Sequence, residues 1–171
     1  ITKLLDIIRY WEWQYIANIN LLALLIVFSF SSTAHLFLPE ILLYVTYIHI
    51  ALAFGFLLNN YTDKENDRAV GKHFINNISN IKIKFTLVLL FTYLLVIPIY
   101  LNTPGIYAIF LLGIVLAVSY SVKPIRLKER GLIGIITPMI AQHLPFMYFY
   151  YIIPDASSFI LYLFGWLVLG G

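Results

Sequence analysis

The stretch Asn59-Asn60-Tyr61-Thr62-Asp63-Lys64-Glu65-Asn66-Asp67-Arg68 is the densest group of charges in this sequence, and it follows the apolar run Ile41–Leu58. Asn59, Asp63 and Asp67 recur every four residues within it. If the apolar helix continues this far, each step of four residues turns the side chain by about 40° and advances it about 6 Å. The three side chains then lie on one helical face, in a slanted row roughly 12 Å long.

A row of this length is too long for one ion to touch all three side chains. It suits a metal at one end, or two metals, beside a highly charged ligand. Hard divalent cations such as Mg²⁺ prefer oxygen ligands and often share their coordination shell with substrate phosphates. The alternative is a solvated helix end in which opposite charges pair four residues apart.

The composition decides the class of protein. Of the 171 residues, 61% are hydrophobic and 11% are charged, whereas a soluble domain carries about 25% charged residues. The chain has too few charges to cover a water-facing surface, so it is predicted to be a membrane protein. The absence of cysteine excludes disulfides, thiolate metal sites and cysteine nucleophiles. The net charge of +3 gives no indication of nucleic-acid binding.

Six apolar segments have, or nearly have, the length that a transmembrane helix needs, which is roughly 17 to 25 residues, and the sixth is incomplete. We predict an all-α, polytopic transmembrane helical bundle that forms a single domain over residues 1–171. Both ends of the sequence look like cuts, since it begins at Ile1 and stops at Gly171 inside an apolar run. The segments are Trp13–Phe30, Ile41–Leu58, Phe85–Leu101, Gly105–Tyr120, Leu132–Ile153 and Phe159 to the end.

The basic residues support this topology. All eleven Lys and Arg fall before the first segment, between the second and third, or between the fourth and fifth. With alternating spans these three regions share one side of the membrane, and the opposite loops hold no base. The positive-inside rule makes the basic side cytoplasmic.

A second polar stretch, Tyr120-Ser121-Val122-Lys123-Pro124-Ile125-Arg126-Leu127-Lys128-Glu129-Arg130-Gly131, follows the fourth segment on the same side. Its bases serve as membrane anchors in the simplest interpretation. Facing the acidic row, however, they complete a site that binds a diphosphate from two directions, with metals bridging its oxygens and bases neutralising the rest. An allylic prenyl diphosphate fits, because its head is strongly anionic and its tail is as apolar as lipid. Aromatic faces can shelter the allylic cation that remains when the diphosphate departs.

Both stretches resemble motifs of the UbiA superfamily of intramembrane prenyltransferases. The first resembles the family signature N-D-x-x-D-x-x-x-D that follows the second transmembrane helix, here N-N-Y-T-D-K-E-N-D-R-A-V-G-K over residues 59–72. The second resembles the tyrosine-serine-proline-basic stretch after the fourth helix, here Y-S-V-K-P-I-R-L-K-E-R-G over residues 120–131. The resemblance covers most of the chain.

The resemblance implies nine transmembrane helices around a cavity that opens sideways to lipid, and transfer of a prenyl chain to an aromatic or other lipophilic acceptor. It implies that Mg²⁺ and, through it, the diphosphate are bound by the acidic row. It also implies that six further residues lie near the same head group. The implied metal ligands are Asn59, Asp63 and Asp67, and the six head-group residues are Arg68, Lys72, Tyr120, Lys123, Arg126 and Lys128.

The sequence departs from the family pattern at three points. Asn60 stands where the family usually has Asp, Pro124 stands where some relatives have Lys, and the second Asp-rich motif of the family would lie beyond Gly171. Because that motif supplies half of the family's metal site, we expect these 171 residues alone to lack transferase activity.

Two polar residues inside the fifth segment, Gln142 and His143, are further candidates for contact with the acceptor. Polar residues at membrane depth usually face the bundle interior or a cavity. An interhelical hydrogen bond is an equally good explanation for both.

The sequence therefore favours a Mg²⁺-dependent prenyltransferase, and by the resemblance we expect a quinone-type aromatic acceptor. A non-catalytic membrane protein of the same fold, which binds lipid or acts as a scaffold, is the main alternative. A transporter is less favoured, because transporters usually place ionisable groups near the bilayer midplane, whereas the charges here lie at one interface.

Overall fold

The computed structural model describes residues 8, 10–30, 32, 34–71, 78–100 and 104–152. Every regular element within these ranges is helical, so the predicted all-α class is confirmed for them. The five long helices are α1 (Tyr10–Phe30), α2 (Leu38–Ala69), α3 (Asn80–Tyr100), α4 (Pro104–Ser121) and α5 (Leu132–Ile152). Short 3-10 turns at Ala34–Phe37 and Leu127–Glu129 precede α2 and α5.

Three of the helices are long and apolar enough to cross a membrane, which indicates a membrane protein, as the composition predicts. They are α2 with the turn before it (His35–Ala69), α3 and α4, and α5 adds a shorter apolar stretch at Leu132–Ala141. One helix occupies each of the first five predicted segments. The sixth segment, from Phe159 onward, lies outside the described residues.

Helix α2 is the centre of the packing, since it contacts α1, α3 and α4. Helix α4 contacts α2, α3 and α5. The largest buried cluster joins these helices and includes Tyr44 and Phe54 from α2, Leu94 from α3 and Phe110 from α4. Helix α3 exposes large apolar side chains on its outer face, among them Ile81 and Phe85, and in a membrane this face can meet lipid tails.

The C-terminal end of α2 carries the charged stretch beyond the apolar part of the bundle. The helix continues past Leu58 to Ala69, so the condition for the slanted row of Asn59, Asp63 and Asp67 is confirmed. It ends before Gly71, whose backbone φ of 78° is a left-handed conformation that glycine adopts without strain.

The first turn of α3 lies against the same end of α2. Lys64 Nζ donates a hydrogen bond of 2.8 Å to Oδ1 of Asn80, and one turn further in, the buried side chains of Leu57 and Ile83 belong to one cluster. Lys64, although it stands inside the charged stretch, therefore ties α2 to α3.

Candidate functional site

Asp63 lies where the two polar stretches meet. Its Oδ1 accepts a hydrogen bond from Nη2 of Arg126 at 2.7 Å, and its Oδ2 accepts one from Nζ of Lys128 at 2.6 Å. The side chains are largely withdrawn from solvent, with exposed fractions of 18% for Asp63, 7% for Arg126 and 13% for Lys128. The loop after α4 thus packs onto the polar end of α2. Of the three bases in this loop that the sequence placed near the row, Arg126 and Lys128 reach it and Lys123 does not.

Lys128 makes a second contact in the same row. Its Nζ also donates to Oδ1 of Asn59 at 2.7 Å. Asn59 and Asp63 are one helical turn apart, so their side chains project to the same side of α2. One ammonium group therefore bridges oxygens of two of the three residues that the sequence nominates as metal ligands.

The loop that presents these bases is folded by its own backbone and by Arg130. Helix α4 ends at Ser121, ahead of Pro124, and Arg126 has a left-handed φ of 41°. Arg130 donates from Nε to the carbonyl oxygen of Ile125 at 2.6 Å and from Nη2 to that of Pro124 at 3.3 Å. Three of the four bases in this stretch therefore have defined partners, and one of them, Arg130, supports the loop.

Gly134 brings this loop close to α5. A Cβ atom at residue 134 would lie 2.9 Å from the carbonyl oxygens of Leu127 and Lys128 and 3.0 Å from Cα of Lys128. These are backbone atoms, which cannot move aside as a flexible side chain can. The missing side chain of Gly134 therefore lets α5 support the turn that carries Lys128.

Arg126 has one more anionic neighbour. Its Nε lies 2.7 Å from Oε1 of Glu129, whose side chain is 57% exposed. Glu129 therefore supplies a second negative charge beside Arg126, at a different nitrogen from the one that Asp63 contacts.

A cavity of about 450 Å³ begins beside this cluster and runs into the bundle. Its volume falls in the range of about 300–1,000 Å³ that is common for small-molecule sites. Asn59, Tyr120 and Ser121 line it at the polar end, and the remaining lining is almost entirely apolar and comes from all five helices.

Small residues spaced by four keep this cavity open. Ala51 and Gly55 line it from α2, and Gly113 and Ala117 line it from α4. Residues four apart share a helical face, so each pair presents little volume along one stripe.

Aromatic rings lie further from the polar end. The rings of Tyr47 and Phe110 stack with centroids 3.9 Å apart, and Tyr44 lies parallel to Phe110 with centroids 6.4 Å apart. All three also line the cavity. The cavity therefore has polar residues at the end beside the charged cluster, an apolar body, and stacked aromatic rings at the other end.

The other nominated residues lie apart from this cluster or beyond what the structure describes. Arg68 and Lys123 are exposed, Asp67 is half-buried, and none of their side chains has a hydrogen bond or ion pair among the described residues. Lys72 lies outside the described residues, as do the side chains of Gln142 and His143, whose backbone belongs to α5.

Asn60, where the sequence differs from the motif that it resembles, is a core residue. It is 1% exposed and is not among the residues that line the cavity. One residue along the helix turns the side chain by about 100°, so Asn60 projects away from the face that carries Asn59 and Asp63. Asn60 therefore belongs to the packed interior of the bundle and not to the cluster around Asp63.

Sequence reasoning missed Gly134 and the small residues of the cavity wall. The four-residue spacing of Ala51 with Gly55, and of Gly113 with Ala117, is a signal that the sequence contains. The role of Gly134 has no such signal, because it depends on how closely the loop approaches α5.

The residues at the cluster are chemically suited to Mg²⁺. The amide oxygen of Asn59 and a carboxylate oxygen of Asp63 converge on one cationic group, and both are hard oxygen ligands of the kind that Mg²⁺ prefers. In the part of the chain that the structure describes, no three His, Cys, Asp or Glu side chains form a metal-binding group. A divalent cation here would therefore need further oxygens from water or from a bound phosphate.

Neither a protein-family model, nor a curated protein, nor a solved structure matches this chain.

Proposed function

We propose that this protein is a Mg²⁺-dependent intramembrane prenyltransferase, which moves an isoprenyl chain from an allylic diphosphate to an aromatic or other lipophilic acceptor. The observation that carries the proposal is the contact of Asp63 with Arg126 and Lys128, joined through Lys128 to Asn59, which lines the polar end of the apolar cavity. A prenyl diphosphate has the same arrangement of polarity, with a charged head joined to an apolar tail.

The bases of this cluster would bind the diphosphate. Arg126 and Lys128 are both close to Asp63 and both have few water contacts, so an anion that replaces or joins the carboxylate meets two positive charges at a site of reduced dielectric. Charge-assisted hydrogen bonds of this kind are about twice as strong as neutral ones. Mg²⁺, held by Asn59 and Asp63, supplies further neutralisation of the diphosphate charge when it is bound.

The reaction needs the same groups. The allylic C–O bond breaks and both of its electrons leave with the diphosphate, so negative charge grows on oxygens beside Arg126 and Lys128 and is stabilised there. The allylic carbon becomes cationic near the polar end of the cavity, which Tyr120 lines, and an aromatic ring there would stabilise the cation. The acceptor then forms the new bond to that carbon and releases a proton.

The membrane arrangement follows from the same proposal. We infer six spans in this stretch of sequence, within a bundle like that of the UbiA superfamily, with the charged loops on the cytoplasmic side. The Asp63–Arg126 contact supports a common side for the loops after α2 and α4, and the basic residues of these loops make that side cytoplasmic.

A second candidate function is lipid binding without catalysis. It is favoured by the pairing of both carboxylate oxygens of Asp63 with bases, since such a cluster can also be a structural tie. In that case the bases would hold an anionic lipid head and no bond would break.

The test is diphosphate release by the full-length protein in detergent, with geranylgeranyl diphosphate, a panel of lipophilic acceptors, and Mg²⁺ or EDTA. We expect release that needs Mg²⁺ and one class of acceptor, and that falls at least 100-fold in Asp63→Asn. Glu65→Gln is the matched control, because Glu65 is an exposed carboxylate two residues away on the same helix. It should retain the wild-type rate.

Tight binding of geranylgeranyl diphosphate without turnover, with every acceptor, would favour the lipid-binding function instead. Equal loss of activity in Asp63→Asn and Glu65→Gln would contradict a specific role for Asp63. Both variants are assayed below the melting temperature of Asp63→Asn, so that loss of folding is not counted as loss of catalysis.

A further inference from the structure

The position of Lys128 bears on when a metal can enter the site. Its ammonium group lies 2.7 Å from Oδ1 of Asn59 and 2.6 Å from Oδ2 of Asp63. It thus occupies the place between the two oxygens from α2 that a divalent cation would need. Its side chain is 13% exposed, so the ammonium is held there by protein contacts rather than freely solvated.

We propose that Lys128 is an internal cation that closes the metal position, so that a divalent cation binds with the diphosphate and not before it. This inference rests on the proposed function. In the closed form the ammonium satisfies Asn59 and Asp63. When the diphosphate arrives, its oxygens give Lys128 new acceptors, the ammonium leaves the two α2 oxygens, and the cation takes them.

Charge balance supports an exchange of this kind. Asp63 and Glu129 together balance Arg126 and Lys128, so before a ligand binds the cluster has no net negative charge to attract a divalent cation. The cation also meets a position that the Lys128 ammonium already fills. A diphosphate makes the cluster anionic, and the cation is then attracted.

The second base on Asp63 keeps the exchange local. The carboxylate of Asp63 can stay paired with Arg126 through Oδ1 while Oδ2 changes partner. The exchange therefore moves one side chain, Lys128, and leaves the carboxylate with a positive neighbour throughout.

Two consequences follow for binding. Metal and diphosphate are positively coupled, and each raises the affinity for the other by the same factor. Removing the Lys128 ammonium should separate the two events, because the metal position is then open without a diphosphate.

The test is Mn²⁺ binding, followed by electron paramagnetic resonance, to the full-length protein in detergent with no diphosphate present. We expect weak binding by the wild type and at least 10-fold tighter binding by Lys128→Met, which has similar length and no charge. Lys64→Met is the matched control, because it removes the same charge one residue from Asp63 while Lys64 itself contacts Asn80. Any gain in Mn²⁺ affinity that comes from lower positive charge alone appears in both variants. The additional gain in Lys128→Met therefore measures the effect of opening the metal position.

A second measurement needs no variant. Geranylgeranyl thiodiphosphate, a slowly reacting analogue, should raise the affinity of the wild type for Mn²⁺ at least 10-fold, relative to Mn²⁺ with the analogue alone. Suppose that the wild type binds Mn²⁺ in the presence of the analogue, but that Lys128→Met and Lys64→Met bind Mn²⁺ equally tightly in its absence. The exchange is then wrong and the proposed function stands. Wild-type binding that is equally tight with and without the analogue would also overturn the exchange. If no protein binds Mn²⁺ under any condition, the metal-dependent function itself is overturned.

Discussion

At the scale of the residue, Asp63 is the counter-charge that allows two bases to be withdrawn from water. Asp63→Asn leaves Arg126 and Lys128 facing each other without it, and we expect a loss of about 3 kcal/mol in the free energy of unfolding, the low end of the range for buried pairs. Lys128→Met leaves the neutral pair of Asp63 and Arg126 and should cost about 1 kcal/mol or less. Denaturant unfolding in detergent, followed by tryptophan fluorescence, measures both.

Because Asp63→Asn leaves two bases without their counter-charge, we expect an added anion to restore its stability. Inorganic diphosphate should raise the melting temperature of Asp63→Asn more than that of the wild type, because it replaces the missing negative charge between the two bases. Equal stability of Asp63→Asn and Lys128→Met, with no response of either to the anion, would show that the cluster is too well solvated for its charges to matter.

At the scale of the element, α2 was largely predictable and the loop after α4 was not. The four-residue spacing of Asn59 and Asp63 assigns them to one face of a helix, and the helix continues through both. The side of the membrane on which Lys128 and Arg126 lie could be predicted from the distribution of basic residues among the loops. Their contacts with Asp63 could not, because these depend on the left-handed backbone at Arg126 and on the carbonyls that Arg130 holds, neither of which follows a periodic pattern.

The support of this loop by α5 can be tested at Gly134. Gly134→Ala places a methyl group 2.9 Å from two backbone oxygens, so the turn at Leu127–Glu129 must move away from α5. We expect a loss of about 1–3 kcal/mol in unfolding free energy, as for other overpacked sites, and a fall in diphosphate release, because Lys128 moves with the turn.

Gly55→Ala is the matched control for that substitution. It also lies inside a helix, but nothing would lie within 4 Å of the new methyl group. There the helix propensity of alanine should make the protein up to about 1 kcal/mol more stable. Similar effects of the two substitutions on stability would mean that the close approach of the loop to α5 is relaxed in the membrane.

At the scale of the whole molecule, the cavity depends on which helices become neighbours. The sequence shows small residues four apart on α2 and on α4, but the same pattern also occurs where transmembrane helices pack closely. Here Ala51, Gly55, Gly113 and Ala117 line a space, while Tyr47 and Phe110 keep α2 and α4 in contact further along. Whether small residues close an interface or open a cavity is decided by the bulky residues beside them, and single-helix patterns do not carry that information.

The length of the prenyl tail gives a test of this cavity. Ala51 is eight residues before Asn59 on α2, or about 12 Å from the polar end of the cavity, whereas Ala117 is one turn before Ser121 at the polar end of α4. An extended carbon chain advances about 1.2 Å per bond, so a four-bond isoprene unit spans about 5 Å. A geranyl chain of two units should end before Ala51, and a geranylgeranyl chain of four units should pass it.

We therefore expect Ala51→Leu to raise KM at least 10-fold for geranylgeranyl diphosphate and less than 2-fold for geranyl diphosphate, while Ala117→Leu raises KM for both substrates. An equal effect of Ala51→Leu on the two substrates would mean that the tail leaves the bundle between helices before it reaches Ala51.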